Sequence, residues 1–574
     1  MTEMTGAEAL VRCLMAEGVK TVFGIPGDQC GPVTDAIYRL GQDGGVEFIT
    51  TRHEQAAAHM ADAWARVSGE PGVCLATVGP GVADLVPGVY TAWADSIPVV
   101  VLGAQNQTWR IYPEHGSMQA LDQLALLTPI TKWRALVADV RRMPQLTQWA
   151  FRVAASGRPG PVYLDLPSNV LCDRVDTEQF PILPPEQYRA TIPAVADGAV
   201  IEHAADMLVA AEWPLLHAGS GVLRAGAWAE LLTLAEYLSA AVTTSQGARG
   251  VIPEDHPLCL IPAAFGALGA QATADVVLLV GGRMGDMEFW GKPPGWGPPD
   301  QQKWIQIDIA PESIGLNRQV DLALVGDAKA TLSALLEAVK KRTGSKSETP
   351  RFADAREAQA VWLRQWEEGA RSNSTPIHPL RLVREIREFF PREAIVCSDG
   401  GTTALWAFYL NRIYEPRTFL WAADSGHLGS GVPYAIGAKL ARPEVPVYCI
   451  TGDGSFGFNA IELETARRAG APVVIIIAND CGWGMIRSAQ KLVHGGRYIG
   501  VDFCDDTRYD RFAQALGCYG ERVTEPAEIK PALQRAVDSN LPAVLDILVD
   551  QEIHGFPPDL EVLDGLWMEG CERE

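Results

Sequence analysis

Short, nearly continuous apolar runs alternate along this chain with longer stretches in which apolar residues recur every three or four positions. Between Thr5 and about Leu171 the runs are KTVFGI, GVCLATV, IPVVVLGA and GPVYLDLP, each closed by Gly, Pro or Asp. A run that is apolar on both faces fits a strand covered on both sides, and the helical period between runs supplies the cover. This rhythm predicts a parallel sheet wrapped by helices. A Pro-rich joint from Phe180 to Pro193 leads to a second set of strands, PLLHAGSG, DVVLLVGGR and KWIQIDI, in a unit ending near Val339. The polar stretch KKRTGSKSETPRFADAREAQ predicts a linker that runs into an exposed helix. A third set follows: EAIVCSDG, TFLWAAD, VPVYCITGDGSF, APVVIIIAND and PAVLDILVD. The expectation is an α/β protein of three doubly wound parallel-sheet domains, over 1–175, 190–340 and 375–550. A C-terminal tail over 551–574 carries the apolar anchors of FPPDLEVLDGLWMEG and is a candidate lid.

Composition narrows the classes of function. The chain has 574 residues, 47% apolar and 21% charged, as in folded proteins rather than disordered or fibrous ones. Its formal charge of −22 repels nucleic acid and anionic membrane surfaces. Eleven cysteines are scattered with no CxxC pair, which indicates neither a disulfide framework nor a zinc site. The N-terminal MTEMTGAEALVRCLMAEG lacks the basic and apolar regions of a signal peptide, and no run reaches the ~18 apolar residues of a membrane span. A soluble cytoplasmic protein is expected, with no nucleic acid and no membrane among its partners.

The strongest chemical signal is GDGSF, with Asp453 leaving one apolar run, followed 27 residues later by Asp480 at the end of the next. Two carboxylates at the ends of adjacent strands can share a hard cation, while the amides of Gly454 and Ser455 face an anion. Together they form a magnesium–diphosphate cradle.

These motifs resemble the thiamine-diphosphate enzymes of the decarboxylase and acetohydroxyacid synthase type, whose signature is GDG followed by NN. Here Asp480 replaces the second Asn, another oxygen ligand that adds a negative charge. The resemblance implies that Asp453, Asp480 and the Gly482 carbonyl hold the metal. TRHEQAAAHMADAWAR looks like the family's RHEQ segment, which makes Glu54 the carboxylic acid paired with the cofactor's aminopyrimidine ring. ATVGPGVADLV resembles its SGPG turn, with Val78 where Ser is frequent, and HGSMQALDQ places Gln119 beside cofactor and substrate. DSGHLGSG resembles its GxMG segment: the Gly426 carbonyl and Leu428 amide would contact the aminopyrimidine, with Leu428 as the wedge that bends the cofactor. Gly401 and Thr402 in SDGGTTALW would add diphosphate contacts. The family's arrangement implies a cofactor stretched between the first domain of one chain and the third of another. A homodimer is then the minimum unit, commonly a homotetramer.

Within the family, the middle-domain run GGRMGDMEFWGKPPGWGPPDQQKWIQIDI looks most like 2-hydroxyacyl-CoA lyases and oxalyl-CoA decarboxylases, which bind ADP there; Arg158, Arg283, Asp308 and Asp327 are the candidates here. Benzaldehyde lyase is also similar, in LDQLALLTPITKW and DGGTTALW. The first expectation is therefore a 2-hydroxyacyl-CoA lyase that releases formyl-CoA and an aldehyde or ketone. Lys491, His494 and Arg497 would attract CoA phosphates, and Trp483, Met485 and Ile486 would line the substrate pocket. A CoA-independent carboligase like acetolactate synthase or benzaldehyde lyase stands as the alternative, with a flavin-dependent enzyme like pyruvate oxidase behind it.

Overall fold

The computed structural model of the protein describes residues 3–553 except 42–43, 112–114 and 191. Three parallel sheets organise them. The first runs in the order Glu47–Thr50, Thr21–Gly24, Gly72–Ala76, Val99–Gln105, Val162–Pro167, Trp133–Leu136. The third runs Phe419–Leu420, Ile395–Ser398, Val447–Gly452, Val474–Asn479, Ala543–Leu548, Tyr519–Val523. In chain order both read second, first, third, fourth, sixth, fifth, so the two domains share one topology. The middle sheet has five strands, in the order Ala241–Thr244, Pro214–Ala218, Val276–Val280, Lys303–Asp308, Leu322–Val325. Glu3–Thr5 pairs antiparallel with Arg174–Asp176 outside these sheets.

The central strands are apolar because helices cover both faces. Val447–Thr451 and Val474–Ala478 are buried throughout, and each enclosed Val or Ile contributes roughly 1.5–3 kcal/mol. Their register pairs Gly452 with Ala478, so both chains leave the sheet at one height and Asp453 and Asp480 emerge side by side.

First and third domains of the chain pack through two helices, Glu54–Ser68 and Gly431–Ala441, whose residues belong to one apolar core. The approach is close: a Cβ at Gly437 would stand 2.5 Å from the Met60 carbonyl oxygen. The small residues Ala56, Ala57 and Ala61 leave room for it. One polar knot lies in this interface, where Arg66 pairs with Asp62 (2.5 Å) and Asp95 (2.6 Å), and Tyr434 donates to Asp62 at 2.8 Å.

The stretch after Lys340 differs from its polar composition. Helix Pro350–Arg364 forms, but Phe352 and Trp362 are buried, and Phe352 lies 5.9 Å from the Trp213 ring, centroid to centroid. Phe352 thus fastens the helix to the middle domain, while the Trp362 ring lies 5.6 Å from that of Tyr409 in the third. Of the tail, Gln551 donates to the Asp480 carbonyl at 2.9 Å; from 554 onward, with the lid role expected there, it lies outside the described residues. No helix among the described residues is long and apolar enough to cross a membrane.

Candidate active site

All nine third-domain residues singled out for metal and cofactor line one cavity of about 360 Å³: Gly401, Thr402, Gly426, Leu428, Asp453, Gly454, Ser455, Asp480 and Gly482. It opens at the carboxyl ends of the strands, between Ile395–Ser398 and Val447–Gly452, where the strand order reverses and open α/β sheets hold their ligands. Trp483, Met485 and Ile486 line it as well, and Gln246 and Met287 of the middle domain close one side.

The electrostatics call for a cation. Asp453 is 2% exposed; its Oδ2 accepts the Gly482 amide at 3.1 Å, whereas Oδ1 is buried without a partner. Burial and the neighbouring charge of Asp480 push the Asp453 carboxyl up to about 8, and burial raises Asp480 to about 6. Among the described residues that line the cavity there is no Lys or Arg. An anion could lie beside these carboxylates only with a metal ion between them. Helices begin at Thr402, Asp453 and Gly484 on the same wall, and their first amides favour that anion. The Thr402 hydroxyl is likewise buried without a partner. A Cβ at Gly484 would stand 2.0 Å from Asp480 Oδ2, so this glycine leaves the carboxylate its place. The residues present thus fit a magnesium ion and a diphosphate.

Asp399, which lies inside a quoted motif without being singled out, organises this cavity. Its buried carboxylate accepts the amides of Gly400 (2.7 Å), Gly429 (3.0 Å) and Gly431 (2.8 Å). One side chain therefore fixes both loops expected to touch the cofactor. An Asp at a strand end before Gly-Gly was the available signal.

In the first domain, Glu54 and Gln119 both lie against the Gly79–Pro80–Gly81 turn. A Cβ at Gly81 would come within 3.2 Å of Glu54 Oε1, and one at Gly79, whose φ is +69°, within 2.4 Å of the Gln119 carbonyl oxygen. Gln119 itself has φ +62°, an uncommon backbone for a residue with a side chain. Glu54 opens helix Glu54–Ser68, capped by His53, and burial raises its carboxyl above the usual range against the pull of its own amide. No described first-domain residue lines the third-domain cavity of the same chain.

The four nucleotide-site candidates, Arg158 of the first domain and Arg283, Asp308 and Asp327 of the middle one, line a second cavity, of about 630 Å³. Arg158 donates to Ser96 Oγ at 2.7 Å, and Arg283 to the Ala94 carbonyl (2.8 Å) and Asp424 (2.7 Å). Asp308 is buried and raised for that reason, with Arg158 opposing the shift. Asp327 also caps helix Ala328–Lys340 through the Ala330 amide, a structural task that accounts for it without a ligand. Arg224, absent from the sequence-based candidates, lines this wall with its Nε buried and unpartnered. A neighbouring cavity of about 420 Å³ shares Ser220, Arg224, Gly281 and Arg283 with it, and Gln246, Met287 and Ala423 with the third-domain cavity. The three form one trough.

Of the expected CoA-phosphate cations, Lys491 is already paired. Lys491 pairs with Glu552 at 2.6 Å, and Arg487 beside it with Asp502.

Three parallel-sheet domains with a metal–diphosphate cradle in the third define a cofactor-dependent α/β enzyme. Family descriptions match along the chain: thiamine pyrophosphate enzyme, N-terminal TPP binding domain, over residues 4–126; central domain over 201–335; C-terminal TPP binding domain over 399–547. The chain is 37% identical to a probable acetolactate synthase large subunit of Methanocaldococcus jannaschii, with 95% of this chain and 92% of that protein covered. It is 33% identical to the acetolactate synthase large subunit of Corynebacterium glutamicum (96% and 88% covered). With the isozyme 3 large subunit of Escherichia coli it shares 32%, over the full length of both. The chain belongs to the thiamine pyrophosphate enzyme family, and its cofactors are thiamine diphosphate and Mg2+.

Proposed function

We propose that this protein is a CoA-independent carboligase of the acetolactate synthase kind, joining a two-carbon unit from a small 2-oxo acid to a second carbonyl compound. With pyruvate the balance is two pyruvate and one proton giving 2-acetolactate and carbon dioxide. The observation that carries the cofactor chemistry is the facing Asp453–Asp480 pair with a free Asp453 Oδ1 beneath three helix starts. The full-length likeness to acetolactate synthases, together with the pairing of Lys491 to Glu552, favours this reading over the acyl-CoA lyase.

Bound thiamine diphosphate would supply the electron sink that lets the former carbonyl carbon of the acid act as a nucleophile once carbon dioxide has left, which no side chain can do. Asp453, Asp480 and the Gly482 carbonyl hold the Mg2+, and the amides of Gly454 and Ser455 with Gly401 and Thr402 hold the diphosphate. Gly426 and Leu428 hold the aminopyrimidine, with the Leu428 side chain as its support. Glu54, kept able to carry a proton near neutral pH by its burial, exchanges that proton with the ring. Gln119 orients the substrate carbonyl, and Trp483, Met485 and Ile486 exclude water around it. Because Glu54 does not line its own chain's cavity, a second copy supplies it. The active unit is then a homodimer or a multiple of one, such as the homotetramer.

The middle trough supports nucleotide binding as a second element of the proposal. ADP would occupy the cavity of Arg158, Arg283 and Asp308, with Arg224 on its phosphates; a flavin dinucleotide would extend along the shared wall to Met287. A yellow purified protein selects the flavin.

The test supplies pyruvate and a 2-hydroxyacyl-CoA in parallel, with thiamine diphosphate and Mg2+, and follows products by mass-resolved chromatography. Acetolactate from pyruvate is expected. Formyl-CoA from the thioester, with pyruvate untouched, would return the lyase reading.

A further inference from the structure

Glu462 belongs to the third domain, just beyond the helix that starts at Asp453, yet its carboxylate serves the first. Oε1 accepts the amides of Arg52 (2.9 Å) and His53 (3.0 Å), and Oε2 accepts the Thr465 hydroxyl at 2.6 Å. The side chain has no exposed surface. Arg52 and His53 are the two residues immediately before Glu54. The same helical stretch grips their loop twice more: Arg468 donates to the Thr50 carbonyl, and Glu464 lies 4.0 Å from the Arg52 guanidinium.

A carboxylate is costly to bury, and an apolar residue would fill the same space with less penalty. What a carboxylate adds is two backbone amides fixed in place at the entry to a helix. With those amides fixed, the first helical residue has its backbone fixed, and the direction of its side chain narrows. We propose that Glu462 is a positioning residue for Glu54, acting from the diphosphate-cradle domain of the same chain. The proposal rests on the reading of Glu54 as the proton-exchanging group. It also joins two parts that serve different sites in the two-copy arrangement: the cradle helix of one site and the Glu54 loop of the other.

Three variants test it. Glu462→Gln keeps an acceptor toward both amides, Glu462→Asp draws the acceptor back by a methylene, and Glu462→Ala removes it. At saturating thiamine diphosphate and Mg2+, kcat should stay within about twofold for Gln and fall roughly tenfold or more for Asp and Ala, while KM and cofactor affinity change less than about threefold. Hydrogen exchange of the Arg52 and His53 amides, read without substrate or cofactor, should quicken about tenfold or more in Asp and Ala but not in Gln. Should Ala fail to fold, the Asp and Gln pair decides. Wild-type kcat in the Asp variant, or a cofactor affinity that falls in step with kcat, overturns the proposal. Unchanged exchange in Asp overturns the anchoring alone; a wild-type protein with no thiamine-dependent turnover overturns instead the reading of Glu54 on which it rests.

Discussion

The Asp399 carboxylate accepts the Gly431 amide at 2.8 Å and so ties the loop after Ile395–Ser398 to the start of helix Gly431–Ala441. Both loops line the cofactor cavity, and Asp399 holds them without being a ligand of the metal. Asn in its place offers one acceptor oxygen and turns an amide donor toward other donors. Losing charge-assisted bonds of this kind costs about 1.5–3 kcal/mol. Asp399→Asn should therefore bind thiamine diphosphate at least roughly tenfold more weakly by calorimetry, with the fold intact by circular dichroism.

Mixing variants tests whether each site draws on two chains. Glu54→Ala and Asp453→Ala are each expected to be nearly inactive. In a co-expressed mixture, half of the random dimers are heterodimers, each with one site carrying both lesions and one carrying neither, which restores about a quarter of wild-type turnover. A mixture as inactive as its components would place both residues of a site in one chain.

Stability should depend on pH in a stated direction. Burial raises Asp399 to about 6 and Glu462 to about 7, from ordinary values of 3.8 and 4.5. A carboxyl whose folded pKa is raised binds its proton more tightly when folded, so its contribution is full at low pH and is lost as pH rises through the folded value. Protein without cofactor should thus lose stability between about pH 4.5 and about pH 7, as urea unfolding at a series of pH values would read. A rise across that window would contradict the upward shift of these two buried carboxyls.

Much of the fold was legible because central strands announce themselves. VVIIIAN and VPVYCITG are apolar on both faces, the mark of a covered strand. Within the three parallel sheets, the strands the pattern does not reveal, Glu47–Thr50, Trp133–Leu136, Ala241–Thr244 and Tyr519–Val523, are all at sheet edges. Such strands are short or carry polar residues toward solvent, so their apolar signal is weak. The site divides in the same way. Candidate sites built on local turns, as at Gly454 and Ser455, leave a motif in the sequence. Residues that act through distant partners, such as Glu462 on an amide 410 positions away, leave none. Arg224 was hidden likewise, since only the tertiary fold brings it to the wall shared by two cavities. The choice between lyase and carboligase was not legible either, because both chemistries use the same cofactor cradle and glycines that suggest a phosphate site in the middle domain are also required by loop packing. A Cβ at Gly219, for example, would lie 2.2 Å from the Gly281 carbonyl oxygen.

The most direct test of the central claim, that Asp453 and Asp480 hold a metal on which the diphosphate rests, is a calorimetric titration of thiamine diphosphate into protein stripped of cofactor, with Mg2+ and with chelator. Tight binding should require Mg2+, and Asp453→Ala should weaken it about a hundredfold or more, the loss of a charge-assisted metal contact in a dry site. Equal affinity with chelator present, or in the Asp453→Ala protein, would contradict the site.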